Sequence, residues 1–427
     1  MRNKWGNLMN ITRQKGCKDI LPDESILWQY IENEIKEICR VHNIQEIRTP
    51  VFEATELYAR GVGDETDIVT KEMYTFLDKG NRSITLRPEL TAGVVRAYIE
   101  NGLSSKMTSP VKLWYTGKMY RYEKMQKGRY REFSQFGVEM FGSSSYLADI
   151  ETIKVSYELL KRLNLADKIE LTINSIGCKE CRSKYIQKLK EYIKPNLDNM
   201  CGTCKIRYEK NPLRMLDCKE EKCAKILKDA PVITDFLCEE CSKDFENVKR
   251  ALDNLDIPYR VDTGIVRGLD YYNKTVYEYV SKDLDLAVGG GGRYDSLVSI
   301  IGGANTPAVG FGMGIDRLII LLKEYGLDKS IKNKVDVYFL TDDNTYFSIA
   351  KYVDKLRSIG YVVETNISNK SFNAQFKYAN KIEASFVIIL GENELKNNEC
   401  VFKNMSTGDQ ENIKLDIDVI KEKIENA

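Results

Sequence analysis

The stretch that most constrains the fold is YRYEKMQKGRYREFSQFGVEMFG, residues 120–142. It predicts two strands joined by a polar loop, because apolar and aromatic residues dominate positions 111–122 and alternate with polar ones over positions 133–141. Gln135 and Glu139 fall on one face of the second strand, since side chains alternate across a sheet. A carboxylate and an amide that share a sheet face indicate a ligand site more often than a core.

The loop between these strands is basic. The chain as a whole carries a formal net charge of only +1. A local cluster of positive charge predicts that this loop binds phosphate groups. Between positions 118 and 132 there are six basic residues and two acidic ones, namely Lys118, Arg121, Lys124, Lys127, Arg129 and Arg131 against Glu123 and Glu132.

Length and composition set wider limits. A chain of 427 residues with 43% hydrophobic residues predicts roughly three domains of ordinary globular type. There is no apolar run of about 18 residues and no apolar stretch near the N-terminus, so we expect a cytoplasmic protein without a membrane segment. The single histidine, His42, excludes the HExxH metalloproteases, whose motif needs two histidines. We expect His42 to be a structural residue at the end of a helix over residues 24–41, with Asp23 as its possible N-cap.

A second polar position lies at a corner between a strand and a helix. Pro88 interrupts the predicted strand at residues 84–86, and a helix can start at about Leu90 and continue to Glu100. Glu89 therefore lies where a carboxylate often faces a crevice. The alternative is that Glu89 only caps the N-terminus of the helix.

Eight of the eleven cysteines fall between residues 178 and 241. In a cytosolic protein, pairs at such spacings indicate metal sites or free thiols rather than disulfides. Eight thiolates suit two tetrahedral Cys₄ zinc sites in a module that would otherwise have a small core. Buried reduced cysteines remain the alternative. The pairs are Cys178 and Cys181, Cys201 and Cys204, Cys218 and Cys223, and Cys238 and Cys241.

Two later segments also carry candidate site residues. Residues 261–279 are rich in aromatic residues yet contain Arg267, and a buried arginine is costly unless it meets an anion. In residues 307–318, PAVGFGMGIDRL, alternate glycines leave space for a flat ring on one face of a strand, and Asp316 and Arg317 begin a helix. The chain has no GxGxxG or Walker A sequence, which argues against a Rossmann or P-loop nucleotide site.

From about residue 332 the pattern changes. Short apolar strands are predicted at residues 335–340, 362–364 and 385–390, and helices at residues 346–358 and 371–381. Strands that alternate with helices predict a compact α/β domain with a mainly parallel sheet.

Four of these segments together resemble the class II aminoacyl-tRNA synthetases, and in detail the histidyl-tRNA synthetase family. They are TLRPELTA at residues 85–92, the strand-loop-strand at residues 111–141, RGLDYY at residues 267–272, and PAVGFGMGIDRL. The resemblance implies an α/β (α+β) protein. Its parts would be an antiparallel-sheet catalytic domain at residues 1–327, a Cys-rich insertion module within it at residues 175–257, and a C-terminal α/β anticodon-binding domain at residues 332–427.

The resemblance also implies roles for individual residues. Those for histidine are Glu89, Leu90, Thr91, Gln135, Glu139, Tyr271 and Tyr272. Those for ATP are Arg121, Glu123, Arg267 and Arg317, of which Arg121 and Arg267 would be catalytic. Those for the acceptor end of the tRNA are Gln126, Lys127 and Arg129 in the loop.

The implied activity is that of a histidine–tRNA ligase, in which ATP with Mg²⁺ activates L-histidine and the histidyl group passes to the 3′ end of histidine tRNA. The enzyme would be a homodimer. The alternative is a non-catalytic regulatory subunit of ATP phosphoribosyltransferase, which resembles the catalytic domain. Such subunits lack the C-terminal domain and the motif arginines, and this chain has both.

Overall fold

The structure is a computed structural model that describes residues 11–63, 66–216, 218, 220–265, 269–284, 286–368 and 370–426. The chain divides into two compact units, one that ends at Ser330 and one that begins at Ile331. No helix in the described ranges is both long enough and apolar enough to cross a membrane.

The first unit is built on a large sheet and a small one. Within the described residues, the large sheet has the strand order β1-β5-β6-β11-β10-β9-β7-β8, and its neighbours are antiparallel except at the two edge pairs, β1 with β5 and β7 with β8. The small sheet has the order β2-β4-β3. The strands are β1 Gln45–Glu46, β2 Phe52–Ala54, β3 Tyr74–Leu77, β4 Ser83–Leu86, β5 Val111–Tyr120, β6 Glu132–Phe141, β7 Ile169–Ser175, β8 Tyr259–Val261, β9 Asn273–Ser281, β10 Ala287–Arg293 and β11 Ala308–Gly314.

Helices cover the large sheet and form the insertion between β7 and β8. The large sheet confirms the predicted antiparallel sheet of the catalytic domain. The helices of the first unit are α1 Pro22–Val41, α2 Thr55–Val62, α3 Thr91–Glu100, α4 Leu103–Lys106, α5 Tyr146–Arg162, α6 Lys179–Ile193, α7 Gly202–Lys210, α8 Glu221–Leu227, α9 Glu239–Asn254, α10 Leu297–Ile300 and α11 Ile315–Glu324.

Helix α1 buries Leu27, Ile31, Ile35 and Ile38, which recur at helical spacing. The prediction that Asp23 caps this helix was wrong. The N-cap residue is Leu21, and Pro22 occupies the first helical position, where the missing N–H costs nothing. The helix therefore starts two residues earlier than the cap pattern indicated, and Asp23 lies in its first turn.

His42 is the C-cap residue of α1. Its ring nitrogens lie 2.9 Å from a carboxylate oxygen of Glu151 and 3.0 Å from one of Glu158, both on α5. The only histidine of the chain thus joins two helices.

The strand pair β5–β6 is the long hairpin predicted from residues 120–142, with Val111 opposite Phe141 at one end and Tyr120 opposite Glu132 at the other. Two glycines let large side chains fit against this sheet. A Cβ atom at Gly137 would overlap the ring of Tyr115, and one at Gly310 would overlap the carboxylate of Glu139. Both side chains therefore occupy space that only glycine leaves.

The second unit has one sheet in the order β13-β12-β14-β15-β16. Strand β12 is parallel to β13 and β14, whereas β14–β15 and β15–β16 are antiparallel. The three strands predicted from the sequence are parallel, as expected. Strands β15 and β16 were not predicted, and they follow as an antiparallel hairpin. The elements are β12 Val337–Leu340, α12 Asp343–Ser358, β13 Val363–Thr365, α13 Phe372–Lys381, β14 Phe386–Ile389, α14 Glu392–Lys396, β15 Glu399–Asn404, β16 Gln410–Lys414 and α15 Ile417–Glu425.

Candidate active site

A cavity opens on the central sheet of the first unit, where β6, β11 and β10 are neighbours. Glycines of β10 and β11, among them Gly289, Gly290 and Gly312, form part of its floor, so that backbone rather than side chains faces the cavity there. Residues far apart in sequence meet in its lining. Those proposed from the sequence are Glu89, Thr91, Arg121, Glu123, Arg129, Gln135, Tyr271, Tyr272 and Arg317.

One end of the cavity is organised by the N-terminus of α3. Glu89 accepts hydrogen bonds from the backbone N–H groups of Thr91, at 2.7 Å, and Ala92, at 2.9 Å. It also lines the cavity, so capping the helix and facing a ligand are compatible. Burial raises the pKa of the Glu89 carboxyl, although these N–H donors oppose the rise.

Glu139 lies next to Thr91 at the start of α3 and is 1% exposed. It accepts hydrogen bonds from the hydroxyls of Thr91, at 2.7 Å, and Tyr115, at 3.0 Å, and a third from the hydroxyl of Tyr294. Burial raises the pKa of Glu139 to about 8, and the three hydroxyl donors limit that rise. The carboxyl group is therefore the hub of a hydrogen-bond network beneath the cavity.

Three tyrosine rings form an aromatic wall next to Glu139. The ring centroids of Tyr271 and Tyr272 are 4.7 Å apart, and those of Tyr271 and Tyr294 are 5.5 Å apart in an edge-to-face arrangement. All three side chains are buried. An aromatic wall beside hydroxyl and carboxyl groups suits a flat ring that carries polar atoms.

The other end of the cavity is rich in arginine. Glu123 lies between two of them, with its carboxylate oxygens 3.6 Å from Arg121 Nη1 and 3.7 Å from Arg129 Nη1. Arg121 is also fixed by a hydrogen bond of 2.8 Å from its Nε to the carbonyl of Pro88. This end can hold several phosphate oxygens through preorganised, charge-assisted donors.

Arg317, on the first turn of α11, reaches the same end. Its Nε donates to the carbonyl of Gly128 at 3.0 Å, and its Nη1 donates to the carbonyl of Ala287. Burial lowers the pKa of Arg317, and the nearby positive charge of Arg129 lowers it further. An anion in the cavity would relieve both effects.

The loop between β5 and β6 ends in a tight turn at the rim of the cavity. The backbone N–H of Arg129 donates to the carbonyl of Gln126 at 2.9 Å, and Gly128 has a φ of 73°. Lys127 pairs with Glu324 at 2.8 Å and remains 60% exposed. Gln126, Lys127 and Arg129 are thus presented together at the tip of this loop.

Two proposed residues differ from the rest in their placement. Leu90 is 2% exposed and packs in the hydrophobic core beside α3. Arg267 lies outside the described residues.

The eight cysteines of the insertion assemble into two clusters. We call Cys178, Cys181, Cys238 and Cys241 the inner cluster, and Cys201, Cys204, Cys218 and Cys223 the outer cluster. In each, the four sulfur atoms lie within 4.8 Å of one another. Four thiols gathered in this way could hold a metal ion, since the sulfurs of a tetrahedral zinc site with Zn–S bonds of about 2.3 Å are about 3.8 Å apart.

Backbone and thiol groups support both clusters. The Cys178 and Cys181 sulfurs are 3.5 Å apart, and those of Cys201 and Cys218 are 3.8 Å apart. Burial raises the pKa values of Cys178 and Cys201, but hydrogen bonds from neighbouring N–H and thiol groups outweigh burial and lower each pKa to about 7. All eleven cysteines of the chain are free.

Comparison with known proteins agrees with this geometry. The family described as histidyl-tRNA synthetase matches residues 16–318, and the anticodon binding domain matches residues 334–426. The chain belongs to the histidyl-tRNA synthetase family. The resemblance that the sequence motifs predicted is thereby confirmed.

Similar proteins extend along nearly the whole chain. A histidine–tRNA ligase of Acetivibrio thermocellus is 51% identical over 405 residues, which cover 94% of this chain and 97% of that protein. One from Clostridium novyi is 49% identical over 408 residues, covering 95% and 97%. The crystal structure of the apo histidyl-tRNA synthetase of S. aureus has a TM-score of 0.81 and 37% identity, with 96% of this chain and 99% of that chain covered.

Sequence reasoning missed three residues of the site. Glu278 lines the cavity, while Tyr115 and Tyr294 donate to Glu139. Tyr115 and Glu278 lie on long strands whose apolar content indicated core. Tyr294 directly follows β10, and no local pattern distinguishes it from an ordinary core tyrosine.

Proposed function

We propose that this protein is a histidine–tRNA ligase. It would activate L-histidine with ATP to give histidyl-adenylate and pyrophosphate, and then transfer the histidyl group to the 3′ end of histidine tRNA. The observation that carries the proposal is that one cavity joins a tyrosine wall and buried carboxyl groups at one end to a cluster of arginines at the other. This arrangement suits an aromatic amino acid beside a nucleoside triphosphate.

At the amino-acid end, Glu89, Thr91 and Gln135 would hold the α-ammonium group, since they offer oxygen acceptors in the lining. Tyr271 and Tyr272 would enclose the imidazole ring. Glu139 would act from below, because its carboxyl group accepts a hydrogen bond from the Thr91 hydroxyl and so orients that side chain. Leu90 would support the pocket through packing.

At the phosphate end, Arg121 would hold the α-phosphate and Arg317 the γ-phosphate of ATP, because both guanidinium groups are fixed by backbone carbonyls and aimed into the cavity. The motif RGLDYY supports a place for Arg267 on the α-phosphate as well. Glu123 and Glu278 supply carboxylates in the same lining and would hold Mg²⁺, which neutralises charge on the β- and γ-phosphates when it is bound.

The chemistry needs no nucleophile from the protein. A carboxylate oxygen of histidine attacks the α-phosphorus, the bond from that phosphorus to the bridging oxygen breaks, and pyrophosphate leaves. A terminal ribose hydroxyl of the tRNA then attacks the histidyl carbonyl, and AMP leaves. The protein contributes placement and donors for the charge that develops on the phosphate oxygens.

The remaining parts would serve the tRNA and the assembly. Gln126, Lys127 and Arg129 at the loop tip would contact the acceptor end, the insertion at residues 175–257 would clamp the acceptor arm, and residues 332–427 would bind the anticodon. We expect a homodimer that acts in the cytoplasm. The boundaries of the catalytic domain at residues 1–327 belong to the same proposal.

We also propose that the inner and outer clusters each bind zinc. The close approach of four thiols in each cluster supports this, because two separate Cys pairs converge there at the spacing that a tetrahedral zinc site needs. Zinc would then supply folding energy to the insertion. Metal analysis of protein purified without chelator tests this directly, with about two zinc ions per chain expected.

Exchange of pyrophosphate into ATP tests the activation step. We expect exchange with L-histidine and none above background with the other nineteen amino acids. The regulatory-subunit alternative predicts no exchange with any of them. The full-length relatives named histidine–tRNA ligase favour the first outcome.

A further inference from the structure

Both cysteine clusters are connected to the segment that carries the tyrosines of the cavity. We call residues 269–274 the tyrosine segment. It leads into β9, and its described residues include Tyr271 and Tyr272. One set of contacts reaches it from each cluster.

The inner cluster meets the tyrosine segment through backbone and side chain. Cys178 is the N-cap residue of α6, and in the first turn of that helix Arg182 Nη1 donates to the carbonyl of Tyr272 at 3.0 Å. The preceding residues pair with Lys274, since the N–H of Lys274 donates to the carbonyl of Gly177 at 2.9 Å and the N–H of Ile176 donates to the carbonyl of Lys274 at 2.8 Å.

The other half of the inner cluster also contacts Lys274. Glu240, which lies between Cys238 and Cys241, accepts from Lys274 Nζ at 2.7 Å, and Asp244 accepts at 3.0 Å. The Lys274 side chain is 14% exposed, so it is enclosed between these carboxylates. All four cysteines of the inner cluster therefore lie on segments that contact Lys274, which is two positions after Tyr272.

The outer cluster reaches the start of the tyrosine segment. Between Cys204 and Cys218, Asn211 Nδ2 lies 3.1 Å and Arg214 Nη2 lies 3.2 Å from Asp270 Oδ1. The Arg214 side chain is 15% exposed. Asp270 directly precedes Tyr271, so the position of this loop of the insertion bears on the first tyrosine.

Packing gives independent support. The insertion and the cavity share one hydrophobic core, in which Tyr185, Leu189 and Met215 of the insertion belong to the same cluster as Tyr271 and Tyr272. Two of the buried cysteines, Cys204 and Cys223, belong to this core as well. The insertion is thus continuous with the wall of the amino-acid pocket.

We propose that metal ions held by the cysteine clusters set the position of the tyrosine segment, so that affinity for histidine depends on metal while affinity for ATP does not. This inference rests on the ligase function and the zinc sites proposed above. Small metal modules lose much of their folding energy when the metal leaves. The contacts from Arg182, Glu240 and Asn211 would then lose their fixed positions, whereas Arg121 and Arg317 are fixed by carbonyls outside the insertion.

Metal removal from the full-length protein tests the inference. Zinc is removed with a chelator, the chelator is dialysed away, and binding of L-histidine and of ATP is measured by calorimetry before removal, after removal, and after two equivalents of Zn²⁺ are restored. We expect the Kd for histidine to rise about tenfold and to recover, as when a few hydrogen bonds to charged groups are lost, with the Kd for ATP changed less than about twofold.

Variants provide a second test that keeps the metal in place. Arg182→Ala removes the donor to the Tyr272 carbonyl and should raise the KM for histidine about tenfold at unchanged zinc content, with little effect on the KM for ATP. Arg182→Lys retains one donor and should recover part of the affinity. Lys184→Ala is the matched control, because Lys184 lies on the same helix in an exposed pair with Glu180.

The outcomes separate the proposals. An unchanged Kd for histidine in protein shown to be metal-free overturns the inference and leaves the zinc sites standing. Protein that neither contains nor takes up zinc overturns both. If metal removal unfolds the whole chain, Arg182→Ala decides, and an unchanged KM for histidine then overturns the inference. Metal-loaded wild-type protein that shows no exchange at any histidine concentration overturns the ligase function instead.

Discussion

The Thr91 hydroxyl donates to the Glu139 carboxylate across 2.7 Å, although the two residues are 48 positions apart. Thr91 begins α3 at the strand-to-helix corner, and Glu139 lies on β6 of the central sheet. The bond joins the proposed ammonium site to the floor below the tyrosine wall. In the function proposed above, one buried carboxyl group would therefore couple recognition of the two ends of histidine.

Replacing Glu139 with Gln should weaken the binding of histidine and leave the binding of ATP nearly unaffected. The amide keeps the size of the side chain but replaces one oxygen acceptor with an NH₂ group, so at least one of the three hydroxyls loses its acceptor. A buried unsatisfied group costs about 1–3 kcal/mol, which corresponds to roughly a 5- to 150-fold rise in the KM for histidine. Pyrophosphate exchange gives both KM values. A parallel rise in the KM for ATP would indicate a general structural role.

Glu139 should also make the free energy of unfolding depend on pH. Burial raises the pKa of Glu139 to about 8 from an ordinary value of 4.5. The folded chain then holds a proton that the unfolded chain releases, so this stabilisation is complete below pH 4.5 and is lost as the pH rises through about 8. In urea denaturation, the stability of the wild type relative to Glu139→Gln should fall between pH 5 and pH 9. A pH-independent difference would place the pKa of Glu139 near its ordinary value.

Replacing Gly310 with Ala should disrupt the pocket from below. The added Cβ would overlap the Glu139 carboxylate and lie 2.5 Å from the carbonyl oxygen of Val138. Overpacking of this kind typically costs about 1–3 kcal/mol, and histidine binding should weaken with it. Gly202→Ala is the control, because a Cβ there meets no atom of the described residues within 4 Å. Equal urea midpoints for the two variants would contradict the proposed fit of Glu139 against Gly310.

Replacing Arg317 with Ala should weaken the binding of ATP. The guanidinium group is fixed by the Gly128 and Ala287 carbonyls and is aimed into the arginine-rich end of the cavity. Loss of a charge-assisted contact costs about 1.5–3 kcal/mol, so the KM for ATP should rise roughly 10- to 150-fold, with the KM for histidine little changed. Lys323→Ala, on the exposed side of the same helix, should leave both KM values near those of the wild type.

The parts predicted best from the sequence are those with local signals. The hairpin β5–β6 follows from alternation within a single stretch, which also places Gln135 on the polar face of β6. Glu89 and Arg317 lie at helix starts, where their residue types are unusual for a core. Family motifs then supplied their order. Each of these residues lines the cavity in the structure.

The features that could not be predicted from the sequence depend on contacts between residues far apart in the chain. Tyr115 and Tyr294 resemble ordinary buried residues until the fold brings both hydroxyls to Glu139. Four Cys pairs also permit several groupings, and their spacing does not reveal that Cys178 and Cys181 join Cys238 and Cys241. The last two strands of the second sheet are antiparallel because a hairpin follows β14, which the preceding helix-strand alternation does not indicate.

Charging of tRNA tests the central claim most directly. The purified chain is incubated with ATP, Mg²⁺, radiolabelled L-histidine and a histidine tRNA transcript, with an alanine tRNA transcript as the control, and label in acid-precipitable RNA is measured. The ligase function predicts stable labelling of the histidine tRNA alone. Folded protein that binds histidine but leaves both transcripts unlabelled would contradict it and would be the behaviour of a regulatory subunit.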